Sequence, residues 1–235
     1  MYQNNKMKND WKTIYSKLSK NDEDLNYPSE TLVRLIKGNY ININKINFKN
    51  KKILDVGFGN GNNLSFLCSL SNNVYGVEIE KSICEFVKQK LKKKDFKPNI
   101  SIGSNSNLPF KNNYFDLLIS WNVLHYEGSV INIQKSIEEY FRVLKKDGIL
   151  LISTTGPEHK ILKNAKTLDN HIYKIRRPGD LRKDQKHFFF DNERYINYYF
   201  NKYFSIKIGR IQDNLISEKL DWWIIYGRKK FAQKI

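Results

Sequence analysis

Two runs in this chain, Asp116–Ser120 and Ile149–Ser153, are apolar at nearly every position and lack the alternation that a half-wet sheet requires. Strands of that kind are covered on both faces, which points to a parallel sheet with helical crossovers. Three further apolar runs, Ile53–Val56, Val74–Glu78 and Ile100–Gly103, join Phe115–Trp121 and Ile149–Thr154 to give five expected strands. Helical patterns at Asn62–Leu70, Lys81–Lys93 and Val130–Leu144 lie between them, and residues 105–113 form a connection of no clear type. Alternation of this order predicts an α/β fold: an open, doubly wound, Rossmann-like sheet with right-handed crossovers.

The tail departs from that rhythm. A helix is expected over Asp191–Tyr199, followed by Phe204–Ile211 and Trp222–Gly227 with no helix between the two runs. They read as an antiparallel hairpin on the sheet edge, which makes seven mostly parallel strands. A dinucleotide-binding sheet would continue with crossovers instead. Upstream, helices are expected at Trp11–Leu18 and after Ser29, an N-cap with Gly38 as the stop.

Composition narrows the class. A chain of 235 residues has room for one large core and little for a second. No segment reaches the roughly 18–20 unbroken apolar residues of a bilayer span, and the first residues lack the apolar stretch of an export signal. Two cysteines cannot build a disulfide framework, and no His/Cys/carboxylate cluster has zinc spacing, so no metal is expected and a cytoplasmic setting is. The net charge of +17 comes mostly from Lys scattered among Asn and Ile. It describes a solvated surface better than a nucleic-acid footprint.

The sharpest local signal is Ile53-Leu54-Asp55-Val56-Gly57-Phe58-Gly59-Asn60-Gly61. A buried strand ends just after an acid, and alternate glycines follow before a helix. Such a bend lets a ligand touch bare backbone at a helix N-terminus. A dinucleotide fingerprint would put its third glycine at position 62, where this chain has Asn62. The second strand ends in Glu78, seventeen positions after Gly61, beside the point where open α/β sheets bind ligands. A carboxylate there can accept both hydroxyls of a ribose.

From about Lys51 to Thr155 the chain resembles the class I S-adenosylmethionine-dependent methyltransferases, in particular the type 11 group. DVGFGNG is similar to that family's cofactor loop and VYGVEIEKS to its ribose-binding strand. IGSNSNLPFKNNYFDLLISWNVLHY and YFRVLKKDGILLIST are similar to the blocks that follow. The flanks, YPSETLVRLIKGNY and RKDQKHFFFDNERY, more loosely resemble bacterial methyltransferases of unassigned substrate. The resemblance implies S-adenosyl-L-methionine as cofactor and S-adenosyl-L-homocysteine as product. By position, Asp55 and the backbone at Gly57, Gly59 and Gly61 would hold the amino-acid end. Glu78 would bind the ribose, Ile79 would pack on the adenine, and backbone near Trp121 would line the methionine side. The family usually carries Asp after the third-strand glycine to bind the adenine amino group. Here that residue is Ser104, with Asn105 as neighbour.

On the acceptor side, methyl transfer needs an in-line approach, and a base only where the acceptor loses a proton. His125, just after the fourth strand, and His187, which opens HFFF, are the candidate catalytic residues. His159, Arg176 and Arg177 are candidate substrate contacts, because long connections at this rim form lids and guanidinium forks suit anions. His171 has no strong argument. The N-terminal aromatics Trp11, Tyr15 and Tyr27 pack as core or close over the cofactor.

The expected organisation is one methyltransferase domain over 1–235. It comprises a helical cap (1–50), a cofactor-binding core (51–155), an acceptor or lid insertion (156–190) and a C-terminal helix with edge hairpin (191–235). The expected activity is methylation of a small-molecule acceptor on oxygen or nitrogen, such as a sugar or another anionic metabolite. An RNA methyltransferase and a non-catalytic cofactor-binding protein are the alternatives.

Overall fold

The strands expected to be dry on both faces are so. The computed structural model describes residues 27–43, 45–180 and 182–230. The expected helix Trp11–Leu18, with Trp11 and Tyr15, lies outside them. In chain order the first elements are α1 (Glu30–Lys37), β1 (Lys52–Val56), α2 (Asn62–Cys68), β2 (Asn73–Glu78), α3 (Lys81–Lys92) and β3 (Asn99–Ile102). Then come β4 (Phe115–Trp121), a 3-10 turn (Leu124–Glu127), α4 (Val130–Val143) and β5 (Leu144–Thr155). A second 3-10 turn (Lys160–Leu162) and three short strands follow: β6 (Lys166–Asp169), β7 (Ile172–Lys174) and β8 (Lys186–Phe188). The chain closes with α5 (Glu193–Phe200), β9 (Phe204–Leu215) and β10 (Glu218–Lys229).

Seven strands form one sheet in the order β3-β2-β1-β4-β5-β10-β9. β3 through β5 are parallel, while β10 runs antiparallel to β5 and to β9. The hairpin therefore inserts its second strand beside β5 and leaves β9 at the edge. Side chains alternate between two apolar layers. Leu54 and Leu118 face the layer under α4 and α5, whereas Ile53, Leu117 and Ile119 face the layer under α1, α2 and α3. Each fully buried Leu or Ile contributes about 1.5–3 kcal/mol, so both apolar layers stabilise the sheet between its helices.

Three local features differ from the sequence reading. Ser29 precedes α1, but its side chain makes no cap; its N–H instead donates to Asn63 Oδ1 at 2.9 Å, tying the helix entry to α2. β5 begins at Leu144 with no intervening loop and passes a left-handed Asp147 (φ 58°) before joining Ile149 to Leu117. Residues 156–190 are not merely a polar loop: β6, β7 and β8 build a separate antiparallel three-stranded sheet. No helix among the described residues is long and apolar enough to cross a membrane.

Candidate active site

The loops after β1, β2, β3 and β4 enclose a cleft of about 460 Å³ at the C-terminal edge of the parallel strands. Its floor is the glycine bend. Gly57 has φ +69°, where an L side chain is strained, and a Cβ on it would lie 2.4 Å from Val123 Cγ2. Gly61 has φ +81°, and a Cβ there would meet Val87 Cγ1 at 2.6 Å, so bareness lets α2 close onto α3. The bend thus keeps backbone exposed to a ligand on one side and packs tightly on the other.

Carboxylates surround that backbone. Glu78 Oε2 accepts from the Gly59 N–H at 3.1 Å and Oε1 from the Ile79 N–H at 2.7 Å. Burial raises its pKa against the lowering effect of those two amides. Asp55 is buried below the bend and its Oδ2 has no hydrogen-bond partner. Burial, and then the charge of Glu78, push it up to about 7. A buried acceptor left unmatched is expensive unless a ligand supplies a donor.

A third carboxylate was not anticipated from the sequence. Glu127, at the end of the first 3-10 turn, lines the cleft and accepts from Asn105 Nδ2 at 2.8 Å. Asn105 Oδ1 in turn accepts from the Tyr140 hydroxyl at 2.6 Å, and Tyr140 and Ser120 share a hydrogen bond of 3.0 Å. Burial pushes Glu127 up to about 7, with the Asn105 bond opposing. Ser104, Ile79 and Trp121 also line the cleft, as does Tyr27 at its mouth, whereas Asp55 and Gly61 lie beneath the lining. Among the described residues no Lys or Arg side chain lines the cleft, despite the net charge of +17.

These residues fit an adenosyl sulfonium with an ammonium group: bare backbone, an acceptor without a donor, a carboxylate of the kind that accepts from two hydroxyls, and, among the described residues, no Lys or Arg side chain in the lining. Residues 54–152 match the family model described as a methyltransferase domain. Over this stretch the chain is similar to class I, S-adenosylmethionine-dependent methyltransferase domains.

The chain is 30% identical over 148 residues to the ubiquinone biosynthesis O-methyltransferase of Pelagibacter ubique (strain HTCC1062), covering 61% of this chain and 56% of that protein. It therefore spans little more than half of the relative's length. Among solved structures, a SAM-dependent methyltransferase from Methanosarcina mazei superposes with a TM-score of 0.65 at 17% identity, covering 78% of this chain and 94% of that one. An S-adenosylmethionine-dependent methyltransferase from Clostridium acetobutylicum ATCC 824 gives 0.62 at 18% identity, over 92% and 97% of the two chains. At such identities the likeness speaks for the fold.

Behind the cofactor cleft of the methyltransferase domain lies a cluster of histidines. Tyr126, which lines the cleft, packs on His125 (ring centroids 4.3 Å apart) and on His187 (4.8 Å). His125 and His187 are 5.5 Å apart, and His159 stands edge-on to Trp222 at 4.5 Å. All three are buried, and His125 Nδ1, His187 Nδ1 and His159 Nε2 have no hydrogen-bond partner. Burial lowers His125 well below the ordinary imidazole value, His187 to about 3 and His159 to about 4, with the Arg182 charge adding to each. They are uncharged at neutral pH.

His125 and His187 thus stand one layer behind the cleft wall rather than in it. The arginines differ more from expectation. Arg177 is held by Glu218 at the start of β10, with hydrogen bonds of 2.5 and 3.1 Å, and Arg176 is exposed; neither lines the cleft. The β10 register brings that glutamate close, which adjacency in sequence does not reveal. Arg182 is the guanidinium near the histidines, and both its bonds to Asp180 are 2.7 Å long. His171 pairs with Asp191 at 2.7 Å outside the cleft. Among the described residues no group of His, Cys, Asp or Glu is arranged to hold a metal ion.

Proposed function

We propose that the protein transfers a methyl group from S-adenosyl-L-methionine to a small molecule bearing a hydroxyl or amine. The observation that carries this reading is the acid-walled cleft over a glycine bend in a strongly basic protein. A site for dinucleotide or nucleotide phosphates adds Lys or Arg to a helix N-terminus; this cleft has the α2 N-terminus behind its glycine bend, but among the described residues its lining carries Glu78 and Glu127, with Asp55 beneath, and no Lys or Arg. Once bound, the cofactor supplies an electrophilic methyl on sulfonium, so the chain need not activate it further.

The roles of the protein groups follow from their chemistry. Asp55, with the backbone at Gly57, Gly59 and Gly61, holds the ammonium and carboxylate end. Glu78 exchanges its backbone donors for ribose hydroxyls, and Ile79, Ser104 and Asn105 flank the base. Trp121 backbone lines the methionine side. The acceptor approaches from the side of Tyr126, and a proton it loses reaches His125 or His187 only by way of Tyr126, behind which both imidazoles stand uncharged at neutral pH. The insertion 156–190, with His159 and the β6–β8 sheet, closes that side as a cap on a single domain. The printed name of the Pelagibacter relative favours oxygen as the acceptor atom. An anionic acceptor such as an acidic sugar gains no support from Arg176 or Arg177, since Arg176 lies exposed outside the cleft and Arg177 is paired with Glu218. A cytoplasmic setting belongs to the same reading.

The test is transfer of labelled methyl to a panel of phenols, polyols, sugar acids and amines, with S-adenosyl-L-homocysteine measured as product. Product with any member at a rate abolished by Glu78→Ala supports the reading. Cofactor binding without turnover on any of them favours the non-catalytic alternative. The RNA alternative draws on the net charge of +17. It requires salt-sensitive RNA binding, with a log–log slope set by the number of phosphates neutralised.

A further inference from the structure

Glu127 is placed by an unusual chain of contacts. Sheet order sets the long axis of the cleft: β3, β2, β1 and β4 are consecutive neighbours, about 4.8 Å apart. A ligand whose sugar meets Glu78 after β2, and whose amino-acid end meets the β1 bend, must lay its base toward the loop after β3. That loop is Ser104 and Asn105, and Asn105 Nδ2 lies 2.8 Å from Glu127 Oε1. Glu127 therefore belongs to the wall that meets the base, although it comes from the turn after β4.

We infer that Glu127 reads the 6-amino group of the purine through its second oxygen, Oε2, and so makes the site selective for adenine. This inference rests on the cofactor reading above. Oε1 is occupied by Asn105, while Oε2 makes no bond within the described residues and the side chain lines the cleft. A carboxylate offers only lone pairs, so the group it prefers opposite is an N–H donor. Among the described residues no other side-chain carboxylate lines this end of the cleft, because Glu78 already lies against the Gly59 and Ile79 amides. Ser104 leaves the β3 loop without an acid, and Glu127 restores one from a different element.

The network also fixes what a substitution does. In the wild-type protein the Asn105 amide is oriented by its two neighbours: Oδ1 accepts from the Tyr140 hydroxyl at 2.6 Å, and Nδ2 must face the Glu127 carboxylate, which can only accept. With Asn105 kept in that orientation, Glu127→Gln turns its new carbonyl to Asn105 Nδ2 and its NH₂ to the cleft. The variant thus replaces an acceptor by a donor at the one atom in question, with almost no change in shape.

The experiment is calorimetric titration at pH 8 with S-adenosyl-L-homocysteine and with its analogue lacking the purine 6-amino group. The wild-type protein is expected to bind the amino form about ten-fold or more tightly, the loss typical of one hydrogen bond to a charged group. Glu127→Gln is expected to lose that preference, weakening for the amino form and holding or gaining for the deamino form. Equal wild-type affinities overturn the inference, as does a variant that weakens both ligands alike. Should Glu127→Gln not fold, or keep the preference by turning the Asn105 amide over, Glu127→Leu, which has no acceptor, is expected to lose the preference, and a Glu127→Leu protein that keeps it overturns the inference. A wild-type protein that binds neither ligand sinks the cofactor reading, and this inference with it. Binding of the natural form with no preference sinks this inference alone.

Discussion

The pH dependence of stability gives a sharp test of the histidine cluster, and His187→Gln isolates one member. His187 is buried, its Nδ1 has no partner, and its Nε2 lies 3.3 Å from Gln185 Oε1. Burial, then the neighbouring Arg182 charge, brings its pKa from 6.5 to about 3. The native state therefore refuses a proton that the unfolded chain accepts. The resulting stability is fully present above 6.5 and is lost as pH falls toward 3. At pH 5 the unfolded side chain is 1.5 pH units below its own pKa while the native one stays neutral. At 1.36 kcal/mol per unit this costs about 2 kcal/mol relative to pH 7. Asp55 and Glu127, both raised to about 7, titrate in the same window with the opposite sign. They are common to both proteins and cancel in the difference. Urea unfolding at pH 7 and pH 5 should show the wild type losing about 2 kcal/mol more than His187→Gln across that interval. Parallel losses in the two proteins would refute the claim that this imidazole is held neutral.

Other consequences follow from the cleft. Gly57→Ala places a methyl 2.4 Å from Val123 Cγ2 at a left-handed φ, which costs about 1–2 kcal/mol before the clash is counted; it should lower the thermal midpoint and abolish cofactor binding. Tyr140→Phe leaves Asn105 Oδ1 without its donor and should destabilise by about 1–3 kcal/mol in urea titration, while weakening binding because Asn105 and Glu127 lose their anchor. Arg177→Ala removes a pair with Glu218 outside the cleft and should leave S-adenosyl-L-homocysteine affinity unchanged by calorimetry.

Much of the fold was legible because its cause is local. Runs such as Ile149–Ser153 report burial on both faces directly, and the absence of a helical pattern between β9 and β10 marks the hairpin. The β6–β8 sheet was not legible, since its strands are three or four residues long and β6 is exposed throughout, so no apolar period develops. In the site, the glycines and Glu78 could be found by spacing, because backbone strain and a strand end fix them locally. Glu127 escaped notice: its partners Asn105 and Tyr140 lie far away in sequence, and only the sheet order brings them together. The arginines show the converse. Arg176 and Arg177 look like an anion clamp on paper, yet strand pairing gives Arg177 to Glu218 and leaves Arg182 beside the histidines. Histidine positions at the sheet rim were visible, but their retreat behind Tyr126 depends on how β8 packs against the turn after β4.

The central claim, that an acid-walled bend accepts an adenosyl sulfonium and rejects phosphates, is tested most directly by parallel titration with S-adenosyl-L-methionine and NAD⁺. The account predicts one-to-one binding of the first, lost in Glu78→Ala, and no heat from the second. Saturable binding of NAD⁺, with S-adenosyl-L-methionine leaving the cleft empty, would contradict it.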